Sequence, residues 1–99
     1  MFISISSFTV ANDMGPEVRE AFINRPHLVD QAPGFVRMEV FTPQENPNEF
    51  WLMSYWEDED SFKVWYESHK YHDSHSGIPK GVKLVPKSVW VKYFNQVGS

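Results

Sequence analysis

Four short stretches of this chain alternate in character with a period of two, and they are apolar on more sides than a single layer of helices can cover. Residues 2–10 direct Ile3 and Ile5 one way and Phe2, Phe8 and Val10 the other, with Ser4 and Ser6 on that second side. Residues 50–56 set Trp51, Met53 and Tyr55 against Phe50, Leu52, Ser54 and Trp56. Residues 35–41 oppose Val36, Met38 and Val40 to a mixed side of Phe35, Arg37, Glu39 and Phe41, and residues 88–94 oppose Val89, Val91 and Tyr93 to Trp90, Lys92 and Phe94. Strands of this kind need cover on both faces.

The intervening segments supply only half of that cover. Asn12 or Asp13 begins a helix whose first turn holds Gly15-Pro16, and Val18, Ala21 and Phe22 follow at helical spacing until Arg25-Pro26 stops it. His27 to Asp30 reads as an irregular turn, Ala32-Pro33-Gly34 as a breaker, and TPQENPNE at 42–49 as a loop between two strands. The acidic run Glu57 to Asp60 suits the start of a second helix, read from about Asp58 through Ser74. The order is β-α-β-β-α-β, a ferredoxin-like α+β domain with an antiparallel sheet and both helices on one face. With 99 residues, 41% of them hydrophobic and 16% aromatic, the chain builds one core with little to spare, so residues 1–99 are expected to form a single domain. A second copy of the same sheet is the economical cover for the bare face, which predicts a homodimer shaped as a dimeric α+β barrel.

Charge and composition remove several function classes. Net charge is −4, with 13 acidic and 9 scattered basic residues, which argues against nucleic acid as a partner. Without cysteine there is no disulfide framework, thiolate nucleophile or Cys-based zinc site. MFISISSFTV has no basic leader and nowhere do eighteen apolar residues run together, so the expectation is a cytoplasmic protein without a membrane partner. Gly-rich phosphate loops and a Gly-x-Ser-x-Gly elbow are missing as well.

The chemistry is concentrated in FKVWYESHKYHDSHSGIPKG, residues 62–81, which holds three of the four histidines. On a continuous helix His69, His72 and His75 would lie at about +40°, −20° and −80° from Trp65, sharing one broad face, with His75 near the stop signals Gly77 and Pro79. Three imidazoles fanned over about 120° do not converge on one ion, which argues against a protein-only metal site. Two readings remain open on the residues themselves. Trp65 and Phe62 are core and the histidines surface; or the stretch walls a slot for haem, which needs one axial imidazole, apolar walls and few polar groups.

NRPHLVDQAPGFVRMEVF at 24–41 and YWEDEDSFKVWYESHKYHDSH at 55–75 resemble the antibiotic biosynthesis monooxygenase superfamily, and within it the IsdG-like haem-degrading monooxygenases. The likeness covers nearly the whole chain. It implies that haem is both substrate and prosthetic group, consumed with O2 and an external electron donor, either a reductase or a small-molecule reductant. In those enzymes the axial histidine follows a pocket tryptophan by ten residues, as His75 follows Trp65 here, with His72 as the rival ligand one turn earlier. The resemblance gives Trp65 the role of pressing the porphyrin out of plane. It also places Ser6, or with a one-residue slip Ser7, where the family has an asparagine whose amide hydrogen-bonds the oxygen. A serine hydroxyl donates too, but reaches less far. Two other functions fit the same pocket: a cofactor-independent monooxygenase acting on a quinol or other aromatic, and a haem-binding module without catalysis.

Overall fold

The structure is a computed structural model that describes residues 1–68 and 81–99. Its elements are β1 (Phe2–Thr9), α1 (Gly15–Ile23), a short 3-10 turn (Leu28–Gln31), β2 (Phe35–Phe41), β3 (Glu49–Trp56), α2 (Glu59–Tyr66) and β4 (Trp90–Asn95). The four strands form one antiparallel sheet in the order β2-β3-β1-β4. This is the ferredoxin-like β-α-β-β-α-β arrangement the alternating stretches predict.

Both helices pack on the side of the sheet that carries Phe2, Phe8, Phe50 and Trp56. Phe22 of α1 stacks near Phe8 and Phe50, with ring centroids 6.3 and 5.6 Å away. Phe62 of α2 meets Phe2 and Trp56 at 5.4 and 5.7 Å. The layer therefore has two apolar centres: Val10, Val18 and Phe50 under α1, and Phe2, Val29, Trp56, Phe62 and Trp65 under α2. The opposite face has no helix. There Trp51 and Trp90 meet edge to face at 4.9 Å, the Arg37 guanidinium sits 4.0 Å over the Tyr55 ring, and Phe41 and Phe94 are nearly half exposed.

Three local features differ from simple alternation. A register shift between Phe35 and Arg37 makes Val36 an extra residue in β2. It brings Phe35 onto the helix side with Met38 and Val40, edge-on to Trp56 at 5.4 Å, and leaves Val36 exposed. The last strand starts at Trp90 because Ser88 is otherwise engaged: its Oγ accepts from the Thr9 N–H at 3.1 Å and fastens this segment to the end of β1. Helix α2 ends at Tyr66 rather than running on to Ser74. Ser68 supplies the reason, since both its N–H (3.0 Å) and its hydroxyl (2.6 Å) donate to the Trp65 carbonyl and take up the acceptor a further turn would use.

Each helix start has a distinct cap. Asp58 accepts from the Ser61 N–H at 2.8 Å, and that hydrogen bond holds its carboxyl below the usual carboxylate range. The start of α1 is capped from a distance: Asn48 Oδ1 accepts from the Gly15 N–H at 2.9 Å while its Nδ2 donates to Asp13 at 3.2 Å. Asn48→Ala is expected to cost about 1 kcal/mol, read as a shift of the urea midpoint at unchanged m-value; no shift would mean the remote cap is dispensable.

Candidate functional site

Between the two apolar centres the sheet floor on the helix side turns polar. Strand alternation aligns Ser4 and Ser6 of β1 with Leu52 and Ser54 of β3, Ser4 facing Ser54 and Ser6 facing Leu52. On its other side Ser6 faces Val91 of β4, which is 48% exposed. Ser54 Oγ accepts from the indole N–H of the fully buried Trp56 at 3.0 Å. Ser6 is half-buried, and its hydroxyl makes no side-chain hydrogen bond among the described residues. Ser7, its one-residue rival, points to the helix-free face, 2% exposed and paired in register with Trp51 and Trp90.

Trp65 is buried on α2 at 7% exposure, packed with Phe2, Val29, Trp56 and Phe62. It and Ser6 thus both belong to the layer between helices and sheet. His69, His72 and His75 lie outside the described residues, and with them the helix face expected to unite them with Trp65; the helix that carries Trp65 spans Glu59–Tyr66. The fourth histidine, His27, lies beyond α1, its Nδ1 3.3 Å from Asp30 Oδ2. Among the described residues no group of three His, Asp or Glu side chains is placed to hold a metal ion.

A cavity of about 480 Å³ opens between α1 and the β2–β3 half of the sheet. Phe22 and Ile23 from the helix and Met38, Val40 and Phe50 from the strands line it, together with Arg19, Arg25 and Thr42. A smaller cavity of about 300 Å³ continues past Arg19, Ile23 and Thr42 toward Pro47. The larger volume is in the range of small-molecule sites, and its lining suits a ligand with apolar and anionic parts. Neither Ser6 nor Trp65 lines the larger cavity. Sequence reasoning missed its basic side. The signal was present in the spacing of Arg19, Phe22 and Ile23, which share one face of α1 at i, i+3 and i+4.

Known proteins with related sequences or folds agree on one family. The model of a family described as antibiotic biosynthesis monooxygenase matches residues 1–77. A "Heme oxygenase (mycobilin-producing)" of Mycobacterium tuberculosis is 27% identical over 63 residues, a match spanning 64% of this chain and only 60% of that relative's length. Among solved structures, the haem-degrader MhuD of M. tuberculosis, with two haems in its active site, has a TM-score of 0.80 at 21% identity, over 100% of this chain and 98% of that one. The cofactor-independent oxygenase SnoaB of Streptomyces nogalater has a TM-score of 0.76 at 16% identity, over 99% and 94%. At such identities the structural likeness establishes the fold.

Proposed function

Because the chain belongs to the antibiotic biosynthesis monooxygenase family, we propose that it is a haem-degrading monooxygenase, binding haem between its helix layer and its sheet. The observation that carries this reading is the cavity under α1. Phe22 and Ile23 from the helix and Met38, Val40 and Phe50 from the sheet give it an apolar surface, and Arg19 and Arg25 also line it, cations of the kind a porphyrin's carboxylates pair with. A neutral quinol would have no use for them.

The residues divide the work. Phe22, Met38, Val40 and Phe50 hold the ring and exclude water, while Arg19 and Arg25 pair with its carboxylates and fix its orientation. His75, with His72 as rival, would hold the haem iron. Trp65 lies outside that cavity, in the Phe2–Trp56–Phe62 cluster, and the role of pressing on the ring comes to it from the family resemblance alone. Ser6 offers a hydroxyl donor from the sheet floor. Bound haem would supply the iron that activates O2 and the ring carbon that is attacked, with electrons from a reductase or small-molecule reductant.

Residues 1–99 act as one domain in this reading, and a second copy covers the helix-free face, whose Phe41, Trp51 and Phe94 are 37–46% exposed. Equilibrium sedimentation at micromolar concentration is expected to give the dimer mass; a monomer would overturn that part. Among the described residues no helix is long and apolar enough to cross a membrane.

The first test is a haem titration of the purified chain. A saturable Soret band at one haem per subunit is expected, with His75→Ala altering its position and weakening binding while His72→Ala leaves it in place. An unchanged His75→Ala spectrum would remove the ligand assignment. Absence of saturable binding to the parent chain would overturn haem as ligand and favour the cofactor-independent reading, which the likeness to SnoaB supports. Ser6→Asn is expected to speed reductant-driven haem loss by about tenfold, the worth of roughly one better-placed hydrogen bond. Stable haem in both forms would favour a binding module.

A further inference from the structure

Arg25 does not face the cavity alone. Its NH1 lies 3.4 Å from Asp30 Oδ1, and the other oxygen of that carboxylate lies 3.3 Å from His27 Nδ1. The turn that carries Asp30 is shaped by contacts other than that with Arg25. His27 adopts a left-handed backbone conformation (φ 57°) that turns the chain into the 3-10 turn Leu28–Gln31. Beside Asp30, Val29 is buried in the cluster of Phe2, Trp56 and Phe62 and anchors that turn. An anionic group is therefore built in beside one of the two cations on which a carboxylate ligand would depend.

We infer that Asp30 sets the selectivity of the cavity by competing with ligand carboxylates for Arg25; the inference rests on the proposed pairing of Arg25 with such groups. Its sign follows from the contact geometry. At 3.4 Å the pair is longer than the roughly 2.7–2.9 Å of a strong charge-assisted hydrogen bond, and the Asp30 side chain is 44% exposed, so the pair contributes little by itself. It engages one nitrogen of a five-donor fork and leaves the other donors to an incoming carboxylate. A ligand carboxylate on those donors would sit within about 5–7 Å of Asp30, close enough for like charges to repel measurably at low salt. Asp30 thus weakens the hold on carboxylate-bearing ligands while leaving neutral flat molecules unaffected. Porphyrins and their ring-opened products both carry such carboxylates, so the same repulsion assists product release.

Metal-free protoporphyrin IX tests this independently of iron ligation and turnover. Its affinity is measured by fluorescence titration for the parent chain, Asp30→Asn and Arg25→Gln, at low and high salt, with the porphyrin dimethyl ester as the uncharged control. Asp30→Asn is expected to tighten protoporphyrin binding about three- to tenfold at low salt, with a smaller gain at high salt and no change for the ester. Arg25→Gln is expected to weaken acid binding and, combined with Asp30→Asn, to abolish the gain. Should Asp30→Asn fail to give the parent's circular dichroism melt, Asp30→Ser replaces it. Unchanged or weaker binding by a folded Asp30 variant, in a chain that still gives a saturable Soret band with haem, overturns this inference alone. A parent chain that binds ester and acid equally overturns the inference together with the proposed role of the arginines.

Discussion

Replacing Trp56 by alanine is expected to lower the unfolding free energy by about 3–5 kcal/mol. The indole is fully buried, stands edge-on to Phe35 at 5.4 Å and to Phe62 at 5.7 Å, and donates to Ser54 Oγ at 3.0 Å. Alanine would leave a void between β2, β3 and α2 that Phe35 and Phe62 cannot both move to fill, and it would strip Ser54 of its donor. Domains of this size are stable by about 5–15 kcal/mol, so the loss is a large share of the whole. Trp56→Phe keeps most of the packing and loses the hydrogen bond, for an expected cost of about 1–2 kcal/mol. Urea unfolding with matched m-values measures both, and a cost below 1 kcal/mol for alanine would mean that this cluster does not hold the sheet to α2.

Gly34→Ala is the second large effect, expected at about 2–4 kcal/mol from two additive sources. Gly34 sits at φ +81°, and a Cβ there would fall on the side chain of Ser61 in the first turn of α2. The two segments are further tied by the Glu57 N–H, which donates to the Gly34 carbonyl at 2.8 Å. Asparagine tolerates the left-handed conformation but still carries a Cβ. Gly34→Asn is therefore expected to remain costly; near-complete recovery of stability with asparagine would show that the backbone conformation alone matters and that Ser61 yields.

How legible the molecule was in its sequence can be judged residue by residue. Strand order and both helix positions followed from period-two stretches and from Gly, Pro and Asp punctuation, because those signals are local and are not overridden here by long-range packing. The β2 bulge was not legible. Phe35 and Val36 are both apolar, and only the demand of Trp56 for an edge-on neighbour decides which of them turns inward. The end of α2 was misjudged because no local pattern marks Ser68 as a stop, whereas its hydroxyl takes the Trp65 carbonyl.

The site was legible unevenly. Ser6 and Ser7 were alternatives one residue apart, and strand register separates their faces, one toward the helices and the other toward Trp51 and Trp90. Trp65 was singled out by its likeness to a family position and is buried between helix and sheet, and its role at a site remains a proposal. Arg19 on α1 and Arg25 just beyond it were passed over because scattered charges ordinarily face solvent. Their significance arises from what α1 packs against, namely Met38, Val40 and Phe50, which no local pattern reveals. The candidate ligands His75 and His72 lie outside the described residues, and their assignment rests on the resemblance.

The most direct test of haem degradation is an aerobic single turnover. The chain is loaded with one haem per subunit and given ascorbate with catalase present, while the Soret band, released iron and the extracted tetrapyrrole are followed together. The account predicts loss of the Soret band with about one iron freed and one ring-opened product formed per haem, and no loss without O2. A Soret band that persists after reduction in air, with intact haem recovered, would contradict it.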